Sequence, residues 1–558
     1  MVFVALGIIV KSCLLVPGAA GYDSLVPILA VPDQENYFQM NFEPFDALDE
    51  TVNVRINSDS SGQIQNEQQI CINPTNPDNV VADWRDFRFG YRRVGVGYSF
   101  DGGLTWADSI LPVTGRPWHS DPGLTHDLNA NFYAVVIAFE PDQSASGFEV
   151  FKSTDSGVNW SAPVIAVEEG ANAFEDKELM VCDRVPDSPY QGNLYIAWTR
   201  FQYQPEYSTD VNLIRSVDGN TTWEPRLMVS DTPGLQWPVP VVGAGGVVYV
   251  AWISFSYYTI MIDRSFDGGQ TWGNDFEVSS VETPSTDING GILVFSFPAM
   301  DADISGGPYH GNLYVAYMDY ASYDFDIYFR KSTDQGETWT VPHRLNDDAL
   351  DNRADQFHPW LTVDENGVIT VMFYDRRNDG SRNLRYDIYM TQSFDAGETW
   401  TENRRITTVS STPHGQQDIL AGLIGEYSGV AVRNGTANLI WTDFRLGDQD
   451  CFGSRVETYT TGVADGKPTV PSKPLLIANY PNPFNGSTAV RFNVPRTADI
   501  EISVFDVSGR KVDNLATSRF SAGSHTVIWS PENLSSGIYF VRLKSGDSIS
   551  ARKIAYLK

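Results

Sequence analysis

One eight-residue pattern recurs six times along the chain, and no other feature restricts the fold so tightly: SFDGGLTW from Ser99, STDSGVNW from Ser153, SVDGNTTW from Ser216, SFDGGQTW from Ser265, STDQGETW from Ser332 and SFDAGETW from Ser393. Repetition of this kind marks arrays in which each unit buries a face against the next. The template, Ser-x-Asp-x-Gly-x-Thr-Trp, has the chemistry of a turn between strands. The aspartate carboxylate accepts turn N–H groups, and the glycine position suits a positive φ. Asn220 fills that position in the third copy and is the next most tolerant residue there. The closing tryptophans, at 106, 160, 223, 272, 339 and 400, are large apolar anchors.

A second repeat counts the units. Upstream of each octapeptide lies a β-rich run: NVVADWRDFR ending at Arg88, FYAVVIAFE at Glu140, QGNLYIAWTRF at Phe201, AGGVVYVAWISF at Phe255, HGNLYVAYMDY at Tyr320 and NGVITVMFYDRR at Arg377. A seventh run, NGTANLIWTDFR, ends at Arg445 and is followed by the strand-like DQDCFGSRVE, but by no octapeptide. The last unit therefore lacks an outer strand. TVNVRINSD, from Thr51, reads like the short strands that follow the octapeptides, and it precedes the first full unit. The expectation is that it crosses over to complete the last unit, closing a ring of roughly 59 residues per unit and leaving no open edge.

The octapeptide resembles the Asp box, or bacterial neuraminidase repeat, of sialidases and related β-propellers. The resemblance implies an all-β chain with a propeller over residues 51–460, seven-bladed by the count above, with six blades as the alternative. It also implies that Asp101, Asp155, Asp218, Asp267, Asp334 and Asp395 are structural residues at the blade periphery.

After residues 461–474, a linker containing DGKPTVPSKP, the pattern changes to short alternating strands such as EISVFDV and IYFVRL, which predict a small immunoglobulin-like β-sandwich over 475–558. Asn479-Tyr480-Pro481-Asn482-Pro483-Phe484-Asn485, Ser508-Gly509-Arg510, Gly537-Ile538-Tyr539-Phe540 and Lys553 make this segment resemble the type A C-terminal sorting domain of the type IX secretion system. The resemblance implies passage across an outer membrane, with the secretion machinery as a partner. At the other end, residues 1–21 read as a signal peptide, with its apolar run interrupted by Lys11, and 22–50 as an N-terminal extension. No later stretch approaches the roughly 18 apolar residues of a membrane-crossing helix. The expected location is extracellular or on the cell surface.

A net charge of −31 argues against nucleic acid and anionic membranes as partners. Cys13 would leave with the signal; Cys71, Cys182 and Cys451 are too few and too far apart for a disulfide framework and read as buried thiols. No cofactor is required by any motif, and structural Ca²⁺ among the acidic loops is left open.

Chemistry is expected on the face opposite the octapeptide turns, at the mouth of the central channel. Entries to the innermost strands carry Glu67, His119, Asp121, Asp176, Lys177, Glu178, Trp237, His358, Trp360, Glu426 and Tyr427, and the ends of the second strands carry Asp86, Arg200, Arg376 and Arg445. Indoles beside carboxylates, imidazoles and guanidinium groups suit a sugar, whose ring has apolar faces and a hydroxyl edge. The recurring Trp84-Arg85-Asp86-Phe87-Arg88, Phe373-Tyr374-Asp375-Arg376-Arg377 and Trp441-Thr442-Asp443-Phe444-Arg445 also suit an Asp/Arg brace repeated for packing.

The sialidase resemblance implies a tyrosine nucleophile matched by Tyr427, an aspartate acid/base matched by Asp86, and glutamates such as Glu178 and Glu426 as further candidates. Where that family has the first of three carboxylate-binding arginines, this chain reads Asn66-Glu67-Gln68-Gln69-Ile70. The expected function is binding of an extracellular glycan or protein through the mouth, with a glycan or glycoprotein as the partner, and glycoside hydrolysis of the exo-α-sialidase type or a related glycan cleavage as the alternative.

Overall fold

Nearly every element is a β-strand, and strands consecutive in sequence associate four at a time into antiparallel sheets. The computed structural model describes residues 52–558 except 114, 187, 284–286, 322, 351, 415–423, 459–474, 481–483, 495–496, 508, 521–522, 532–533 and 547. The signal, Cys13, the extension 22–50 and the linker 461–474 lie outside the described residues.

Between Asn53 and Glu457 the described strands make seven four-stranded sheets. Their innermost strands are Gln65–Ile72, Trp118–His126, Ala173–Cys182, Leu235–Val242, Ala299–Ala302, Gln356–Val363 and Gly429–Arg433. Each of these touches the next, and the last touches the first, so the sheets stand around a closed ring as a β-propeller. The seventh sheet takes only three strands from its own stretch of sequence. Its outer strand is Asn53–Arg55, paired antiparallel with Asp450–Glu457 through Val54 opposite Gly453.

Burial follows this stacking. Second strands are covered on both faces, so they read as continuous apolar runs: Phe132–Phe139 and Val248–Ser254 are buried at every position. Trp84, Trp198, Trp252 and Trp441 occupy matching places in four of these strands and are fully buried. Close fit governs their neighbours. A side chain at Gly95 would put its Cβ 2.4 Å from the Trp84 indole, so glycine is needed there.

All six octapeptides make the same turn. In the first, Ser99 Oγ donates to Asp101 Oδ1 at 2.7 Å, Gly103 N–H donates to Ser99 Oγ at 2.9 Å, and the Thr105 hydroxyl donates to Asp101 Oδ2 at 2.6 Å. In the second, Asn159 replaces the threonine and its amide donates to Asp155 Oδ2 at 2.7 Å. Two consecutive residues of each turn are left-handed, and the second is Gly103, Gly157, Asn220, Gly269, Gly336 or Gly397, with φ from 71° to 95°. Donors from the turn hold the carboxylates low: Asp218, bonded above all by Thr222, drops to about 2. At Asp101, Asp155, Asp267 and Asp334 burial is the largest single effect and pushes the carboxyl up, but the matching donors together outweigh it and hold each one low.

The contacts divide the chain after Tyr459. The C-terminal unit has a three-stranded sheet, Leu475–Tyr480 with Thr488–Val494 and Gly523–Trp529, and a four-stranded sheet of Lys511–Phe520, Ala498–Asp506, Gly537–Ser545 and Ser548–Tyr556. Val490, Phe492, Ile502, Val504, Trp529, Val541 and Leu543 form its shared core.

Candidate functional site

Five of the seven innermost strands break register near their entries: between Asn66 and Gln69, Ser120 and Gly123, Asp176 and Leu179, Gln236 and Val239, and Phe357 and Trp360. Each break is a β-bulge, which adds a residue and re-aims the side chains beside it. The bulge residues Glu67, Asp121, Lys177, Trp237 and His358 all have positive φ, from 46° to 57°. None is glycine, so each holds a conformation that costs on the order of 1 kcal/mol and that neighbouring contacts must sustain. The bulges turn charged and aromatic side chains from successive sheets toward one another.

Lys177 is the hub. Its Nζ donates to Glu426 Oε2 at 2.6 Å and Asp121 Oδ2 at 2.8 Å, and lies 3.6 Å from Glu67 Oε1. Arg85 joins from the second strand of the first sheet, with Nη1 3.2 Å from Glu67 Oε2 and 3.8 Å from Asp121 Oδ1. The Arg85 Nε donates to Asn66 Oδ1 at 2.9 Å, and Asn66 donates in turn to Gln449 Oε1 at 2.8 Å. All five charged groups are buried.

Burial opposes every charge here, and distance to Lys177 decides which survive. Lys177 and Arg85 outweigh burial at Asp121 and hold its carboxyl below the usual range; Lys177 does the same for Glu426. Asp121 and Glu426 in return hold the ammonium well above its ordinary value. Glu67, farther from Lys177, is pushed up by burial and keeps its proton. Glu178, next along the strand, is pushed up by burial and by the Asp121 charge, and neither of its oxygens has a hydrogen-bond partner.

Beside the hub Lys177, Leu179, Trp237, Phe297, Trp360 and Tyr427 line a narrow cleft that is closed, with no room for a water molecule. The Lys177 ammonium sits 5.2 Å from the centre of the Tyr427 ring, and Trp360 meets that ring edge-on at 6.5 Å. Trp237 packs 4.3 Å from Phe295, and His358 lies 5.7 Å from Phe297. Tyr427 Oη, Trp237 Nε1 and both His358 ring nitrogens are buried without a hydrogen-bond partner. Burial keeps His358 neutral, down to about 4, and raises the Tyr427 phenol, which stays protonated.

Of the residues expected at the mouth, the structure brings together Glu67, Asp121, Lys177, Glu178, Trp237, His358, Trp360, Glu426 and Tyr427. Others are occupied elsewhere. Asp86 accepts from Trp84 Nε1 at 2.8 Å and from Arg88 Nη2 at 2.7 Å, and Arg88 continues to Asp108 at 2.7 Å. Arg445 braces Asp443 at 2.7 Å, and Arg200 is held by Glu169 and Glu175. Arg376 donates to the Asn289 and Asn383 carbonyls at 2.6 and 2.9 Å. His119 lies 3.4 Å from Glu149 Oε2, and Asp176 accepts from Gln236 Nε2 at 3.5 Å. Arg85, which the sequence offers both as a second-strand end at the mouth and as part of the repeated brace, joins the hub. The signal was present: the place between the aromatic and the aspartate is Tyr374 or Thr442 in the matching runs, so Arg85 does not repeat. Among the described residues no three His, Cys, Asp or Glu side chains group so as to hold a metal.

Residues 478–556 match the family model of the secretion system C-terminal sorting domain. The C-terminal unit is such a domain, of the type IX system, and marks the chain for export and surface attachment. No helix among the described residues is long and apolar enough to cross a membrane. No curated protein matches the chain. Among solved structures, a protein of unknown function from Dyadobacter fermentans is 14% identical, with a TM-score of 0.41, covering 73% of this chain and 98% of its own. An α-L-arabinofuranosidase from Fusarium graminearum is 12% identical at a TM-score of 0.43, with the same coverage. NanB sialidase from Streptococcus pneumoniae is 9% identical at 0.40, covering 72% of this chain and 94% of its own.

Proposed function

We propose that this exported chain is a cell-surface binding protein, and that its propeller holds a sugar residue of an extracellular glycan in the cleft beside Lys177. The observation that carries this reading is the pairing of aromatic walls with polar atoms that lack partners. Tyr427 Oη and Trp237 Nε1 are a hydroxyl and an N–H buried without hydrogen bonds, an arrangement that costs stability unless a ligand or water completes it. Sugar hydroxyls supply the missing partners, and the rings of Trp237, Phe297 and Trp360 cover the apolar face of the pyranose or furanose. The cleft is closed as it stands, with no room for even a water molecule, so a single ring enters only as half-buried Trp360 moves aside.

A second reading, glycoside hydrolysis, draws on one feature: burial pushes the Glu178 carboxyl up while Lys177 holds that of Glu426 down, the direction of split that acid/base cleavage by two carboxyl groups needs. Against the sialidase form of that chemistry, Arg85 is the one arginine among the described residues that pairs with the hub carboxylates, where recognition of an acidic sugar calls for several.

A glycan array read with the wild type, Trp237→Ala and Tyr427→Phe tests binding. Retention by the wild type that falls at least about tenfold in Trp237→Ala is expected. Retention unchanged in both variants removes the cleft as the site. Release of reducing sugar from any retained glycan, abolished by Glu178→Gln, would turn the conclusion to the enzyme.

A further inference from the structure

The mouth face carries a second feature, outside the cleft. Antiparallel pairing sets the turn between the second and third strands of a sheet beside the inner-strand entry: Gln65 faces Asp86, Glu175 faces Arg200 and Leu235 faces Ser254. In four sheets these turns present aromatic rings to solvent. Phe89 and Tyr91 stand in the first, Tyr207 in the third, Tyr257 and Tyr258 in the fourth and Tyr323 in the fifth, with exposures from 39% to 82%. The third, fourth and fifth sheets are neighbours in the ring, so their tyrosines form an arc along one side of the mouth.

Tyr207 stacks on Tyr203 and Tyr91 lies under Arg93, but packing does not account for the most exposed rings of the arc. Tyr323 is 82% exposed and Tyr257 is 67% exposed. The backbone disfavours two of them as well: Tyr258 has φ 51° and Tyr323 has φ 67°, left-handed turn positions that glycine or asparagine fills with less strain. A bulky ring kept at a strained, solvent-facing position points to a role outside the fold.

We propose that the tyrosine arc is a platform for a neutral polysaccharide, which lies across the mouth with one of its residues in the Trp237–Tyr427 cleft; this rests on the reading of that cleft as a sugar site. A phenol offers a flat apolar face to sugar C–H groups and a hydroxyl at its edge, at the entropic cost of only two torsions. Neutrality follows from charge. The protein carries −31 overall, and the two cations at the cleft, Lys177 and Arg85, are already matched by Asp121 and Glu426. A polyanion would meet the protein's net negative charge there and, at the cleft, cations that are already matched.

The test is native electrophoresis of the full chain through gels containing arabinan, xylan or a β-1,3-glucan, with polygalacturonate as the acidic control. Wild type should be retarded by at least one neutral polymer and not by polygalacturonate. The triple variant Tyr257→Ala/Tyr258→Ala/Tyr323→Ala should lose about tenfold or more in affinity for that polymer. Tyr323→Asn should weaken binding while leaving the thermal midpoint equal or higher, which a structural role for the ring would not allow. Equal retardation of wild type and triple variant overturns the arc alone. If Trp237→Ala also has no effect, the cleft falls with it. Stronger retardation by polygalacturonate overturns neutrality, and no retardation of the wild type by any neutral polymer overturns both readings.

Discussion

At the second of their two left-handed positions the octapeptide turns have Gly103, Gly157, Gly269, Gly336, Gly397 or Asn220; at the mouth the left-handed residues are Glu67, Asp121, Lys177, Trp237 and His358. The two ends of the same sheets sustain this backbone conformation by different means. At the turns, one left-handed position takes glycine or asparagine while the other also takes Ser156, Gln335 and Ala396, and every aspartate is bonded by donors two to four residues away. At the mouth, side chains that resist it are held by partners far along the chain, 56 residues from Lys177 to Asp121 and 249 to Glu426. Local satisfaction makes a turn stable by itself, whereas the mouth exists only when several sheets are in place.

The largest test of this contrast is Lys177→Met. Removing the one ammonium between Asp121 and Glu426 leaves buried carboxylates without their cation, and the expected loss is about 3–5 kcal/mol by denaturant unfolding. Asp101→Ala removes hydrogen bonds from a turn open to water, and its expected loss is about 1–2 kcal/mol. Equal losses would erase the distinction between the two ends.

The pH dependence of the two ends should have opposite sign. Glu178 is raised, so the folded protein holds its proton more tightly than the unfolded chain, whose glutamates titrate near about 4.3. Stability from this group is full below that value and is lost as pH rises toward the folded pKa. Glu178→Gln does not titrate, and its thermal midpoint should gain on the wild type between pH 4 and pH 8. Asp218 is lowered to about 2, so its contribution is present above about 3.8 and is lost as pH falls toward 2. Asp218→Asn should therefore flatten the acid limb and leave the neutral and alkaline range unchanged. A Glu178→Gln midpoint that follows the wild type throughout would show that Glu178 ionises at no cost in the folded state.

What could be read from the sequence follows the same divide. The turns were legible because Ser99, Asp101, Gly103 and Thr105 bond one another within seven residues, a pattern six copies make visible. The closing strand was legible because a three-strand remainder after Arg445 needed a partner, and Asn53–Arg55 supplies it. The mouth was legible only as a list of entry positions. Nothing local to Glu67 or Lys177 says that they meet, or that Asp86 is spent on Trp84 and Arg88 while Arg85 beside it turns to the hub. Alternation along that strand places the two residues on opposite faces, and which face meets the channel depends on the packing of the whole ring.

The smallest effect belongs to the one turn that departs from glycine. Asn220 sits at φ 71°, where its amide donates to the Val150 carbonyl at 3.1 Å and its side-chain oxygen accepts from Trp223 Nε1 at 2.8 Å. In the first, second and fifth turns the tryptophan N–H donates instead to the carbonyl of the glycine, at 3.0 to 3.2 Å. Asn220→Gly thus relieves the left-handed strain and offers Trp223 the acceptor its counterparts use, while it loses the bond to Val150. Relief and loss are each on the order of 1 kcal/mol, so the net change in unfolding free energy should stay within about 0.5 kcal/mol. A loss several times larger would mean that the tie from Asn220 to the neighbouring sheet does what no glycine in the other turns does, and that this turn depends on its neighbour as the mouth does.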